Sequence, residues 1–208
     1  MVRRAVTAAV DFFWPVPCAA CELALRPGEQ GFCTRCTGAM QFWHNEPGAS
    51  IRHVVRHDGP GGDAIRRLKY GRRTALARPL AALLAAEIQS PDFPAFDYIV
   101  PIPLHWKRDL ARGFNQSVLL AFHCSAMTGV PFIPDALIRV RSTVAQIELG
   151  RTERQRNMRG AFLVPHPDII HNRRILLIDD VHTTGATTGE ASRAIRRAGD
   201  SFVTVLTV

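Results

Sequence analysis

The sequence contains no apolar run long enough to cross a bilayer, for which about 20 residues are needed, so no membrane span is expected. Nor does it have the composition of a disordered chain, since 47% of its residues are hydrophobic and 21% charged. A clean secretory signal is missing too. Met1 to Trp14 starts with Arg3 and Arg4 and then turns apolar, but Asp11 interrupts it and no small-x-small site follows. The segment reads as an amphipathic first helix, and the expected location is the cytoplasm. Acidic residues are in short supply, 18 against 26 basic ones, for a formal net charge of +8. That balance favours anionic partners such as nucleic acid, nucleotides, phosphorylated metabolites or acidic lipid, although a generally arginine-rich composition gives the same number. The 208 residues suit one good-sized domain plus a small module.

Cysteine is scarce outside one window. Four of the five, Cys18, Cys21, Cys33 and Cys36, fall within 19 residues as C-x2-C, an 11-residue spacer and C-x2-C. Each pair sits on a tight turn that aims two sulfurs at one point, and two such turns supply four thiolates to a tetrahedral site. Structural zinc is the expected occupant, with an iron–sulfur cluster as the alternative. Disulfides fit poorly with a cytoplasmic chain. A module this small has little core of its own, so metal binding would supply folding energy. The expected division is residues 1–45 for the first helix and four-cysteine module, and residues 46–208 for the main domain. Cys124 stands alone on a predicted helix and reads as a buried small hydrophobe.

The main domain alternates helix and strand. A short strand is expected at Ile51 to Val55, and Ala64 to Tyr70 has helical character. Thr74 is a candidate cap for the helix carrying Leu76, Leu80, Leu83, Leu84 and Ile88, with Pro79 in its first turn. Tyr98 to Ile102 reads as a strand. Asn115 then caps a helix that Gly129 stops, and Phe132-Ile133 is the next strand. Ile138 to Asn157 is polar and reads as a long excursion, either a functional lid or a solvated hairpin. Ile175 to Ile178 is continuously apolar, as expected of a parallel strand covered on both faces. Thr187 or Thr188 opens a helix that Gly199 ends, and Phe202 to Val208 returns as a strand. Two strand–loop–helix–strand units in series predict an α/β fold with a mostly parallel sheet flanked by helices.

The chemistry concentrates after the buried strand. Ligands of open α/β sheets bind at the carboxyl ends of strands, where Asp179 and Asp180 fall. Vicinal ribose hydroxyls suit such a pair, because each carboxylate accepts a hydroxyl proton. A magnesium ion nearby would relieve their repulsion. Val181, Thr183, Thr184, Gly185, Ala186 and Thr187 follow, offering hydroxyl donors, a glycine for the tight turn, and a helix N-terminus whose free N–H groups cradle phosphate. A ribose end and a phosphate end a few residues apart match a 5-phosphoribosyl group. A surface acidic pair followed by an ordinary threonine-rich cap would leave the same trace.

This stretch resembles the phosphoribosyl pyrophosphate (PRPP) signature of type I phosphoribosyltransferases. The four-cysteine start, Lys69-Tyr-Gly-Arg72, Val100-Pro-Ile-Pro103, Arg112-Gly-Phe-Asn-Gln116, Arg141-x-Thr143-x-x-Gln146 and Arg154-x-x-Asn157-x-x-Gly160-Ala-Phe162 are similar to the ComF family of competence-associated proteins. The resemblance covers nearly the whole chain. It implies a type I phosphoribosyltransferase-like domain in which Asp179 and Asp180 hold the ribose and serve as catalytic candidates, while residues 183–187 hold the 5′-phosphate. Magnesium would accompany PRPP. The loop after Pro103, with Lys107, Arg108 and Arg112, would face pyrophosphate, and the excursion with Gln146 and Arg154 would form a hood.

No residue marks a purine, pyrimidine or ammonia pocket, so the acceptor stays open, as does whether PRPP is turned over or only sensed. The resemblance also implies a link to DNA uptake, and with it possible binding of single-stranded DNA or a DNA-uptake helicase. Arg66, Arg67, Lys69, Arg72 and Arg73, around Tyr70, form a basic patch able to track phosphates. A solvated helix face would look the same.

Overall fold

The run Ile175 to Ile178 lies in the middle of the sheet. In the computed structural model, which describes residues 16–104, 113–141, 156–182 and 184–208, it is the heart of strand β5 (Arg174–Asp179). Three further parallel strands flank it: β1 (Ile51–His53), β2 (Tyr98–Pro101) and β6 (Phe202–Thr207), in the order β1-β6-β5-β2. Val100 lies opposite Leu177 on one side of β5, and Val205 opposite Leu177 on the other. Phe132 adds a single parallel bridge to Ile99 beyond β2, in place of the full strand expected there. The architecture is the expected mostly parallel sheet flanked by helices.

Side chains of a strand alternate between faces, and β5 shows why a continuous apolar run was needed. Leu176 and Ile178 join one buried cluster, while Ile175 and Leu177 join another. The first cluster is covered by helices α3 (Ala77–Ile88) and α4 (Gln116–Thr128), through Leu80, Leu84, Leu120 and Cys124. Cys124 is fully buried, and its thiol faces the carbonyl of Ala81 at 3.5 Å. The second cluster is covered by helix α6 (Ala186–Gly199), through Ala191, Ala194 and Ile195. Each fully buried leucine or isoleucine contributes about 1.5–3 kcal/mol.

The remaining helices are short. They are α1 (Thr34–Gly38), α2 (Pro60–Tyr70) and α5 (Pro167–Ile170). Thr74 opens a single 3-10 turn, Thr74–Leu76, and does not cap α3, which begins at Ala77 without a side-chain cap. Pro79 falls in the first turn of α3, where its missing N–H removes a donor that has no partner in the helix. Asn115 caps α4 as expected, its Oδ1 accepting from Ser117 N at 2.9 Å, and Gly129 ends that helix in the left-handed region at φ 76°. Helix α6 starts one residue earlier than expected, because Gly185 at φ 72° turns the chain directly into Ala186. Gly199 is its last residue, and Asp200 is the left-handed cap at φ 49°.

Two short strands, β3 (Ile138–Arg139) and β4 (Phe162–Leu163), pair antiparallel. They bring together the two ends of the polar excursion, whose residues 142–155 lie outside the described region. At the amino-terminal side, Cys18, Ala19, Ala20, Phe32 and Met40 belong to the same buried cluster as Ile65 and Leu80. Contact between the cysteine segment and the main sheet layer is close. A Cβ on Gly31, which has φ 69°, would stand 2.5 Å from Pro79 Cβ of α3. Among the described residues, no helix is long and apolar enough to cross a membrane.

Candidate functional site

Asp179 is the last residue of β5, so its carboxylate stands at the carboxyl end of the central strand. Three elements converge on it. The Asn115 cap, whose Nδ2 also donates to Ile102 O at 3.1 Å, fixes the start of α4 beside the end of β2. From that first turn Ser117 Oγ donates to Asp179 Oδ1 at 2.9 Å. The same oxygen accepts the backbone N–H of Asp180 at 2.9 Å. From α2, Lys69 Nζ lies 3.0 Å from Asp180 Oδ1.

The Asp179 carboxyl is pushed up to about 7 from its ordinary value of 3.8. Burial is the main cause and the charge of Asp180 the second, while Ser117, the Asp180 N–H and Lys69 pull the other way. The pair therefore shares its surroundings unequally. Asp179 is the member held by a neutral hydroxyl, and Asp180 is the one in contact with a cation.

The loop beyond the pair closes on itself. Thr188 Oγ1 lies 3.1 Å from His182 Nδ1 and donates to Gly185 O at 3.3 Å. Asp179, Val181, His182, Thr184, Gly185, Ala186, Thr187 and Thr188 line one small cavity of about 20 Å³. The first turn of α6 holds no acidic residue, so no side-chain charge there offsets the positive end of the helix dipole. A larger cavity, about 770 Å³, lies at the opposite end of the sheet between Arg174, Phe202 and Pro94. It touches none of these groups, and strand amino ends are not where such sheets bind ligands.

Several groups at the site carried no signal in the sequence. Ser117 is one. His53 and His182 are others, with ring centroids 5.1 Å apart at the ends of β1 and β5. His53 Nδ1 also meets Thr207 Oγ1 at 2.8 Å, and Trp43 lies 5.6 Å from the His53 ring. Burial first, then His182 and His57, hold His53 below the usual histidine range. His57 is held low by burial and by Lys69, against the opposite pull of Asp180. Strand register brings these side chains together, and residues 53, 57 and 182 share no sequence pattern.

The basic patch resolves into individual contacts. Arg66 pairs with Asp63 at 2.5 Å, Arg67 with Glu22 at 3.5 Å, and Arg73 with Glu22. Lys69 points to Asp180. Arg72 follows α2 at φ 52°, and Tyr70 is 75% exposed. Lys107, Arg108, Arg112, Gln146, Arg154 and Thr183 lie outside the described residues.

The four cysteines form a second centre. The Sγ atoms of Cys18, Cys21, Cys33 and Cys36 all lie within 4.8 Å of one another. Cys21 Sγ and Cys33 Sγ are 3.7 Å apart, close to the roughly 3.8 Å that separates sulfurs 2.3 Å from a tetrahedral metal. Cys18 Sγ accepts the backbone N–H of Cys33 at 3.3 Å, which favours a thiolate. The Cys21 thiol is lowered to about 6, chiefly by the backbone at Leu23, whereas burial pushes Cys36 up. None of the five cysteines is in a disulfide. The donor set fits a structural metal ion, since all four positions of a tetrahedron come from protein sulfur.

Against known proteins, no family model matches the chain. The chain is 35% identical over 177 residues to the DNA utilization protein YhgH of Salmonella typhi, covering 83% of this chain and 75% of that protein. It is 27% identical over 196 residues to competence protein F of Haemophilus influenzae, covering 88% and 85% of the two chains. Among solved structures, adenine phosphoribosyltransferase from Leishmania tarentolae superposes with a TM-score of 0.43 at 16% identity, covering 88% of this chain and 74% of that one.

Proposed function

The chain belongs to the ComF family, and on that footing we propose that it binds PRPP at residues 179–187 and transfers the phosphoribosyl group to an acceptor. One observation carries this reading. Asp179 and the acid-free first turn of α6 line the same cavity, so a carboxylate suited to ribose hydroxyls and a helix start suited to phosphate face one space.

In the transfer, the bond from C1 of the ribose to pyrophosphate breaks and pyrophosphate leaves with the electron pair. The acceptor's lone pair forms the new bond to C1 through an oxocarbenium-like transition state. Asp179 and Asp180 hold the ribose hydroxyls, and the amides and hydroxyls of Thr184 to Thr187 hold the 5′-phosphate. The protein acts by positioning and by electrostatic stabilisation of charge as it develops. A magnesium ion bound with PRPP would neutralise the departing pyrophosphate, and the two carboxylates are suitable oxygen donors to it or to its waters. Cys18, Cys21, Cys33 and Cys36 would hold zinc in a closed site with no position for substrate.

The names of the relatives speak of DNA utilization and competence. A second reading fits those names equally, in which PRPP is sensed and not turned over in the service of DNA uptake. A charge-driven DNA surface on α2 draws less support, because Asp63, Glu22 and Asp180 pair with Arg66, Arg67, Arg73 and Lys69. Incubation with PRPP, magnesium and a panel of purines, pyrimidines and ammonia separates the two. Release of pyrophosphate with one acceptor is the expected result. PRPP binding without release from any of them would replace the transferase by the sensor.

A further inference from the structure

Lys69 is one of only two lysines in a chain whose 26 basic residues are otherwise arginine. The two side chains are not interchangeable. Arginine presents a wide planar fork, whereas lysine is a compact charge with three rotatable donors. This lysine sits in the last turn of α2, with its Nζ 3.0 Å from Asp180 Oδ1 and the two side chains 17% and 13% exposed. That is a largely covered pair at a ligand site, unlike the exposed ion pairs that contribute little.

The position is fixed from both ends. Two residues earlier, Arg67 donates to the carbonyl of Ala20, which lies between Cys18 and Cys21. The four-cysteine segment thereby sets the rotation of α2 that turns Lys69 inward. The carboxylate pair is also approached by His57 from the α2 side, by Ser117 from α4, and by His182, which lines the same cavity as Asp179 with His53 behind it. Among these, Lys69 is the cation seen within hydrogen-bonding distance of a carboxylate oxygen.

PRPP is a multiply charged anion, and two adjacent carboxylates repel it unless their charge is offset. We infer that Lys69 is a positioning residue of the PRPP site, which aims the Asp180 carboxylate so that it accepts a ribose hydroxyl while its charge is masked from the anionic ligand. The inference rests on the PRPP reading above and takes Lys69 out of the nucleic-acid patch in which its sequence neighbours placed it.

The test is titration calorimetry of the full-length chain with PRPP and magnesium at pH 8. The variants are Lys69→Met, Lys69→Arg, and Asp179→Asn with Asp180→Asn. The affinity of Lys69→Met is expected to fall on the order of tenfold. Lys69→Arg, which restores the charge, should recover most of that loss. Thermal melts of the three variants guard against a mere folding defect.

Equal affinity in Lys69→Met, or a loss that Lys69→Arg does not recover at all, with binding abolished in the double asparagine variant, would overturn the role of Lys69 and leave the PRPP site standing. No binding of PRPP by the unaltered chain would overturn both.

Discussion

Ser117 Oγ donates to Asp179 Oδ1 at 2.9 Å, joining the first turn of α4 to the end of the central strand. A neutral hydroxyl is thus the side-chain partner of one carboxylate, and a charged ammonium is the partner of its neighbour. Replacing Ser117 by alanine removes a donor that favours the ionised form of Asp179. PRPP affinity is expected to fall about three- to tenfold, the worth of one hydrogen bond. Global stability should change by less than about 1 kcal/mol, because Asp179 can then hold a proton. Calorimetric titration with PRPP and urea unfolding of the same variant check the two halves separately.

Asp179 costs the empty protein stability. Its carboxyl is raised from 3.8 to about 7, so between those values the folded chain holds a proton that the unfolded chain has lost. Stability therefore falls as pH rises through that window. Asp179→Asn should stabilise the protein by about 2 kcal/mol at pH 8 and by little at pH 4. The same change should abolish PRPP binding. Urea midpoints at the two pH values would show the widening gap, and a constant gap would contradict it.

Glu190, 2% exposed in α6, accepts the backbone N–H of Gly160 at 2.8 Å and pairs with Arg193 and Arg197 at 2.8 and 3.2 Å. Burial pushes its carboxyl up, but these partners outweigh burial and hold it below the usual range. The contact pins the return of the polar excursion to α6. Glu190→Ala should cost about 2 kcal/mol, less than a fully buried pair, since both arginines stay in reach of water. Chemical denaturation checks the magnitude, and faster amide exchange at Gly160 checks the mechanism.

Arg52 is nearly buried in β1, with Nη2 2.8 Å from Glu87 Oε1 on α3 and its guanidinium over the ring of Phe93. Arg52→Met leaves Glu87 without that cation and should cost about 3 kcal/mol. Adding Glu87→Leu should recover most of the loss, because a matched apolar pair removes the uncompensated charge. A double variant no more stable than the single one would refute this account of the pair.

One zinc per chain is expected by elemental analysis of freshly purified protein. Cys18, Ala19, Cys33 and Cys36 share a buried cluster with Ile65, Leu80 and Leu176. Chelation should therefore lower the midpoint of a single thermal transition by roughly 5 °C or more and should not melt a separate module. Differential scanning calorimetry with and without chelator distinguishes the two, and Cys33→Ser should reproduce the chelated trace.

The sequence by itself determined the local features. A C-x2-C pair places its sulfurs through one turn. A four-residue apolar run followed by two aspartates specifies a covered strand and its carboxyl end. Asn115 and Gly129 mark a helix start and stop through their own backbone chemistry. Each of these depends on neighbours a few residues away, so each is legible in one dimension. The positions of Thr74 and of the start of α6 were misjudged by a residue or a turn, because proline and glycine nearby decided the boundary. Only the tertiary structure decided which distant groups meet Asp179 and Asp180. Ser117 arrives with α4, and His53 is set beside His182 by the register of β1 against β6. Lys69, read beside Arg66 and Arg67 as one more surface charge, is turned inward by the packing of α2 against the cysteine segment. A helix carries no mark in its sequence of the carboxylate that its last turn will face, because that partner is chosen by packing across more than a hundred residues of chain.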